Sequence, residues 1–323
     1  MRPVLQLVVL IALSCLSDAQ AQAPGDAAQL DQPSLARAAP APLDVHEWGV
    51  WRLRSGRIDH LSDLARETPA FVHRAPTGPA PITPRPSPDI EIALKPVLFL
   101  HADAPMDVTV TIEMPGGEPW FYFPDAVAGV TSHPEARTVR WMGRVLPEAA
   151  PLPAGVAFPA APGGHWWNAL RGVGASPFVP RGASLAERFL FYDGPIPFRP
   201  LWAPAGRSVQ PVAIAGLAPT RVAWVVGPGG ATRVTSGRQR VARAALRDVG
   251  AVRTELSAAL LAGGLTAAEV QSLLATWDGD LFQSPAPRAI WIIPQSEYDR
   301  MLPLTVEPVP RSTVRVGVAI QML

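Results

Sequence analysis

The sequence predicts a mainly β chain, antiparallel and sandwich-like, with a C-terminal helical hairpin, α+β overall. Three observations carry this. Short runs of alternating apolar and polar residues recur from residue 46 to residue 226, the period of a half-buried strand. Proline and glycine, 38 and 26 residues respectively, separate these runs, as turns between many short strands require. Apolar spacing of three and four, the helical period, is confined to the last third.

The elements follow in chain order. Arg2, the apolar run Val4 to Leu16 and the small residues ending Asp18-Ala19-Gln20-Ala21 have the form of a secretory signal peptide, residues 1–21. The run is too short for a spanning helix, which needs about 20 apolar residues, so no transmembrane helix is expected in the mature chain. Cys15, the sole cysteine, offers lipoprotein attachment as an alternative, although a lipobox usually has Leu where Ala12 stands. Cleavage after Ala21 removes it. A thiol-free body excludes disulfides, zinc–thiolate sites and cysteine nucleophiles. The expected location is periplasmic or extracellular.

Residues 22–42 read as a disordered leader of Ala, Gln, Pro and Asp. A β-rich region, 43–235, begins with the alternating His46-Glu47-Trp48-Gly49-Val50-Trp51-Arg52-Leu53. Arg74 to Pro88 carries six prolines and is expected to be a surface loop. Pro96 to His101, Asp107 to Glu113 and Trp120 to Phe123 read as strands, the last two as antiparallel neighbours across Pro115-Gly116-Gly117. Further strands are expected at Thr138–Leu146, Arg188–Tyr192, Val209–Ala213 and Arg221–Val226.

From 236 to 323 the sequence predicts the hairpin and closing strands, packed on the same domain. A stripe from Val241 to Leu260 ends at Gly263-Gly264, and Gly250 is a possible break. Thr266-Ala267-Ala268-Glu269 is a capping box, with Leu265 and Val270 as its hydrophobic staple. Ala289–Ile293 and Thr313–Ile320 return to strand.

Net charge is +1, which predicts neither nucleic-acid nor acidic-membrane binding. A small molecule, a glycan or a protein remain as partner classes. The arginines at 240, 243 and 247 share a helix face that reads as solvated.

Polar groups concentrate beside tryptophan in three places: His46-Glu47-Trp48-Gly49, Lys95 to His101, and His165-Trp166-Trp167-Asn168 with Arg171 in a long Gly/Pro-rich loop. His46, Glu47, His165 and Arg171 are the candidate catalytic residues, and His46, His165 and His101 the candidate ligands of a divalent metal. No two histidines stand two or four apart, so any cluster must be made by the fold. The plain alternative for each is a surface or hydrogen-bonded core histidine. Gly174-Ala175-Ser176-Pro177-Phe178 breaks the nucleophile-elbow pattern at its last position. Gly227-Pro228-Gly229-Gly230 and Asp278-Gly279-Asp280 read as structural turns. Trp166-Trp167 is the best place for a glycan platform, while Trp141, Trp224 and Trp291 read as core.

The ordered set His46-Glu47-Trp48-Gly49, Lys95-Pro96-Val97, His165-Trp166-Trp167, Phe189-Leu190-Phe191-Tyr192 and Leu302-Pro303-Leu304 resembles a family of uncharacterised secreted bacterial proteins. The mature part of that family opens with a His-Glu-Trp-Gly-Thr-Phe-like segment. Val50-Trp51 departs from its Thr-Phe. The resemblance implies export and one folded unit from about residue 44, and it transfers no catalytic role. Two functions are therefore expected: a binding or structural component, or a metal-assisted hydrolase or oxidase using His46, Glu47 and His165, with His101 as a further ligand.

Overall fold

The computed structural model of the protein describes residues 41–53, 68–74, 90–130, 136–197, 202–205, 208–211, 222–235 and 248–323. The expected signal peptide with Cys15, the expected leader up to residue 40, most of the expected proline-rich loop and the arginines at 240, 243 and 247 lie outside them. Strand begins at Ala41, two residues earlier than expected.

The described chain is mainly β, with antiparallel-rich sheets. Its strands are β1 (Ala41–Leu53), β2 (His73–Arg74), β3 (Ile90–Ala102), β4 (Met106–Pro115), β5 (Phe121–Phe123), β6 (Val127–Val130), β7 (Ala136–Val145) and β8 (Phe178–Pro180). There follow β9 (Leu190–Pro197), β10 (Trp202–Ala205), β11 (Ser208–Pro211), β12 (Val222–Gly227), β13 (Gly230–Thr235), β14 (Arg288–Ile293), β15 (Leu304–Glu307) and β16 (Pro310–Met322). The helices are α1 (Trp166–Arg171), α2 (Val249–Ala262), α3 (Ala267–Thr276) and α4 (Gln295–Met301), with a π-helical turn at Gly279–Gln283. All fall within one compact unit, Pro40–Leu323.

The strands at 41–53 and 310–322 lie side by side in the middle of a nine-stranded sheet ordered β13-β12-β14-β16-β1-β3-β9-β5-β2. Their pairing is parallel, whereas the other neighbours in that sheet are antiparallel. A five-stranded sheet is built on β15-β4-β7-β6, with β8 added to β7. Asp107–Glu113 and Trp120–Phe123 therefore do not form the expected neighbouring pair: β4 joins the smaller sheet and β5 the larger. The turn at Pro115-Gly116-Gly117, with Gly116 at φ +69°, sends the chain from one sheet to the other. Alternation fixed the strands but carried no information about their partners.

Period-two alternation along β1 gives the large sheet two different faces. Val45 and Trp51 face a core shared with Val110 and Ile112 of β4 and Trp141 of β7. Trp48 and Val50 face the other core, with Val252 and Leu256 of α2 and Val270 and Leu273 of α3. Helix α2 begins at Val249, where the Asp248 side chain accepts from the Gly250 N–H. The early part of the predicted stripe, 241–247, lies outside the described residues.

Glu47, between these apolar neighbours, is fully buried on the two-sheet side. Its Oε2 accepts from Arg315 Nε at 2.7 Å and its Oε1 from the Tyr298 hydroxyl at 2.9 Å. The Tyr192 hydroxyl also donates to Oε1. Arg315 in turn reaches Asp299 Oδ1 at 2.9 Å and the Leu302 carbonyl at 2.6 Å, with its guanidinium 4.3 Å from the Tyr298 ring centre. One carboxylate thus joins β1, β9, α4 and β16. Burial pushes both tyrosine hydroxyls well above their ordinary value, and the Glu47 charge adds to this. Burial pulls the Arg315 guanidinium down, but the Glu47 carboxylate overrides it and the group stays firmly charged.

Breaking a buried ion pair from one side leaves an uncompensated charge. Glu47→Gln is therefore expected to lose about 3 kcal/mol in urea unfolding. A loss below about 1 kcal/mol, the worth of an exposed pair, would remove Glu47 from this structural role.

Candidate metal centre

Alternation that sends Glu47 into the two-sheet core sends His46 to the helical side. In the β1–β3 register His46 faces Phe99 and Asp44 faces His101. His101 is therefore the diagonal neighbour of His46 on the same face, a relation that long side chains can bridge. The two imidazole rings lie 5.0 Å apart between centroids.

Helix α3 supplies the third group. Thr266 caps it in a full capping box: its hydroxyl accepts from the Glu269 N–H at 3.2 Å, and its own N–H donates to Glu269 Oε2 at 2.7 Å. The capping box read from the sequence is present. Its acid, however, is not directed only at its own helix end. His46 Nδ1 lies 3.1 and 3.0 Å from the two carboxylate oxygens, and His101 Nε2 lies 3.1 Å from Oε1. An ionised carboxylate only accepts, so each imidazole nitrogen facing it donates.

One donor atom from each of His46, His101 and Glu269 lies within 4.8 Å of the others, the one such group among the described residues. Glu269 is fully buried, while the His46 and His101 side chains retain 13% and 27% exposure. The carboxylate therefore forms the floor and the imidazoles the solvent side. The rim is ionic: Asp44, opposite His101, pairs with Arg311, which also reaches Asp103 at 3.0 Å. The Arg311 hydrogen bond holds the Asp44 carboxyl at about 2, against burial, which raises it.

Burial would raise the Glu269 carboxyl, but the hydrogen bonds from His101 and His46 outweigh it and bring the group down to about 2. Two imidazoles and one carboxylate form a nitrogen-rich set without thiolate, suited to a divalent first-row metal rather than to calcium or magnesium. Donors roughly 2.0 to 2.2 Å from one ion in a tetrahedral sphere stand about 3.3 to 3.6 Å apart; the histidine–carboxylate separations are 3.0 to 3.1 Å and the three donor atoms lie within 4.8 Å of one another.

The sequence points to four residues for catalysis. His46 is in the centre, and so is His101 from the ligand set. Glu47 is on the opposite face of the sheet, because adjacent strand residues point apart. His165 is not in the converging group: its Nδ1 accepts from the Trp167 N–H at 3.2 Å and so caps α1, and its ring tilts against Trp166. Arg171 is an ion-pair partner of buried Glu187, with Nη2 2.6 Å from Oε2; Trp167 Nε1 donates to the same oxygen at 2.6 Å.

The expected loop at 165–171 is thus a short helix. Trp167 is fully buried and its ring lies 55° from that of Trp166, so the two do not present a flat exposed platform to a glycan. Ser176 is held by the backbone rather than poised as a nucleophile: its hydroxyl accepts from the Ala102 N–H at 2.9 Å. Gly227–Gly230 closes the β12–β13 turn as expected. Glu269 was read only as a cap. A capping-box glutamate has one oxygen to spare, but sequence offers nothing to aim that oxygen at histidines more than a hundred residues away.

No protein-family model, curated protein or solved structure matches this chain.

The Glu269 carboxyl stands near 4.5 when unperturbed and at about 2 in the folded protein. A lowered carboxyl stabilises fully above the higher value, and that stability is lost as pH falls through the lower one. The metal-free protein is therefore expected to lose on the order of 3 kcal/mol through this group between those limits. Glu269→Gln keeps the cap and should flatten this acid limb in unfolding measured against pH. An unchanged limb would contradict the assignment.

Proposed function

We propose that this chain is a metalloprotein whose centre, His46, His101 and Glu269, holds one divalent first-row ion and leaves a coordination position open for metal-assisted hydrolysis. The observation that carries this is the convergence of two imidazoles and one buried carboxylate within 4.8 Å. Structural zinc sites close with four protein ligands, whereas three ligands and a wet side characterise catalytic ones. A bound ion of this kind supplies a water or hydroxide nucleophile near neutral pH and polarises a substrate oxygen. The oxidase variant of the same reading applies if the resident ion is iron or copper.

A second reading has its own support. Glu269 is already satisfied by both histidines and by the Thr266 N–H, which is what a buried carboxylate in a binding or structural component needs without any ion. The frame behind the centre is read as a sandwich-like pairing of the two sheets with α2 and α3 as a helical hairpin. The cores shared by the two sheets and by the two helices support that reading. Export to the periplasm or beyond belongs to the proposal, supported by the apolar run Val4–Leu16 followed by small residues up to Ala21. The resemblance to secreted bacterial proteins agrees with it. Among the described residues no helix is long and apolar enough to cross a membrane.

Elemental analysis separates the two readings. Untagged protein purified without chelator and dialysed against zinc is expected to retain near one equivalent, and His46→Ala and His101→Ala to lose it while remaining folded. Uptake should weaken with acidification, since protons compete for the imidazole nitrogens. Wild-type protein that retains no metal would leave the binding or structural reading in its place.

A further inference from the structure

The metal reading leaves open what aims Glu269 at the histidines, and the start of α3 answers it. We propose that Thr266 is a positioning residue of the metal centre: its hydroxyl accepts from the Glu269 N–H and fixes the start of α3, and its own N–H holds Glu269 Oε2, so that Oε1 is presented to the ion. This inference rests on the metal reading above.

An isolated capping box sends one glutamate oxygen back to the N-cap N–H and leaves the other to water. Here Oε2 is held by the Thr266 N–H at 2.7 Å and also lies 3.0 Å from His46 Nδ1, while Oε1 lies 3.1 Å from both His46 Nδ1 and His101 Nε2. With Oε2 tied to backbone, Oε1, the oxygen within reach of both histidines, is the one presented to an ion. A hydrogen-bonded outer oxygen is the usual companion of a metal-bound carboxylate.

The box is itself clamped to the sheet. Leu265, just before the cap, is buried and shares a core with Val270, the staple that fixes the entry angle of the chain. Gly264, at φ +101°, lies so close to β16 that a Cβ there would stand 3.0 Å from Val314. Val314 is the residue paired with His46 across the β1–β16 ladder. The turn that delivers Thr266 therefore rests on the Val314 side chain, at the strand position beside a ligand. Exposed Thr266 has no place in the apolar core, so its replacement tests orientation without opening a cavity.

Zinc affinity, measured by competition with a chromophoric chelator, tests this in four proteins. Thr266→Ser keeps hydroxyl and N–H and should bind as wild type does. Thr266→Ala removes the hydroxyl and should weaken binding about tenfold. Thr266→Pro also removes the N–H, in a backbone whose φ of −71° already suits proline, and should weaken binding about a hundredfold. Thermal melts of the metal-free proteins run alongside. If the alanine and proline variants melt earlier yet bind zinc as tightly as wild type, Thr266 is only a helix cap and the proposal is overturned. Should the proline variant not fold, unchanged affinity in the alanine variant overturns it alone. Wild-type protein that binds no zinc would instead sink the metal reading on which the proposal stands.

Discussion

The arrangement depends on the buried Glu47–Arg315 pair, because it fixes the strand that carries His46. Arg315 faces Glu47 across the parallel ladder of β1 and β16, and the two tyrosines bring β9 and α4 to the same carboxylate. A slip of one residue would exchange the faces of β1, placing His46 among the apolar side chains of the two sheets and Glu47 beneath the helices. An ion pair in a core is costly unless its geometry is met. That cost penalises every other register. Gly49 and Gly317 face each other one turn of the pleat further on, where a Cβ on Gly317 would meet Trp51 at 2.6 Å and Ile293 at 2.8 Å. Close packing of large rings against bare backbone makes the same register demand by sterics.

Consecutive residues on one strand thus do different work. Glu47 sits where water is excluded and its charge is spent on holding strands together. His46 lies at the boundary between the sheet and the helical layer, where partial exposure lets a solute approach. Glu269 links the two environments: it is as buried as Glu47, yet its neighbours are groups that exchange protons and bind metals. Burial raises its carboxyl, and two imidazole donors more than reverse that.

Much of the fold was legible because local periods report burial. Strands at 46–53, 107–113 and 289–293 and the Thr266 box were visible from alternation and end chemistry. Sheet membership was not, since Pro115-Gly116-Gly117 looks the same whether it closes a hairpin or passes the chain between sheets. Trp166–Arg171 was hidden among prolines and glycines, and the signal was a histidine acting as N-cap. Of the site, two histidines were found because they stand among strand-forming aromatics. Glu47 was grouped with His46 by adjacency, although the period of two that identified the strand already assigns neighbours to opposite faces. Glu269 was seen in its local role alone. Its second role is made by tertiary packing, between residues 223 positions apart.

X-ray absorption spectroscopy at the zinc edge of the loaded protein tests the central claim most directly. The account predicts two imidazole rings and a carboxylate oxygen at about 2.0 to 2.2 Å, with a water completing the sphere. A zinc environment made only of oxygen atoms, or one with a single imidazole ring, would contradict it.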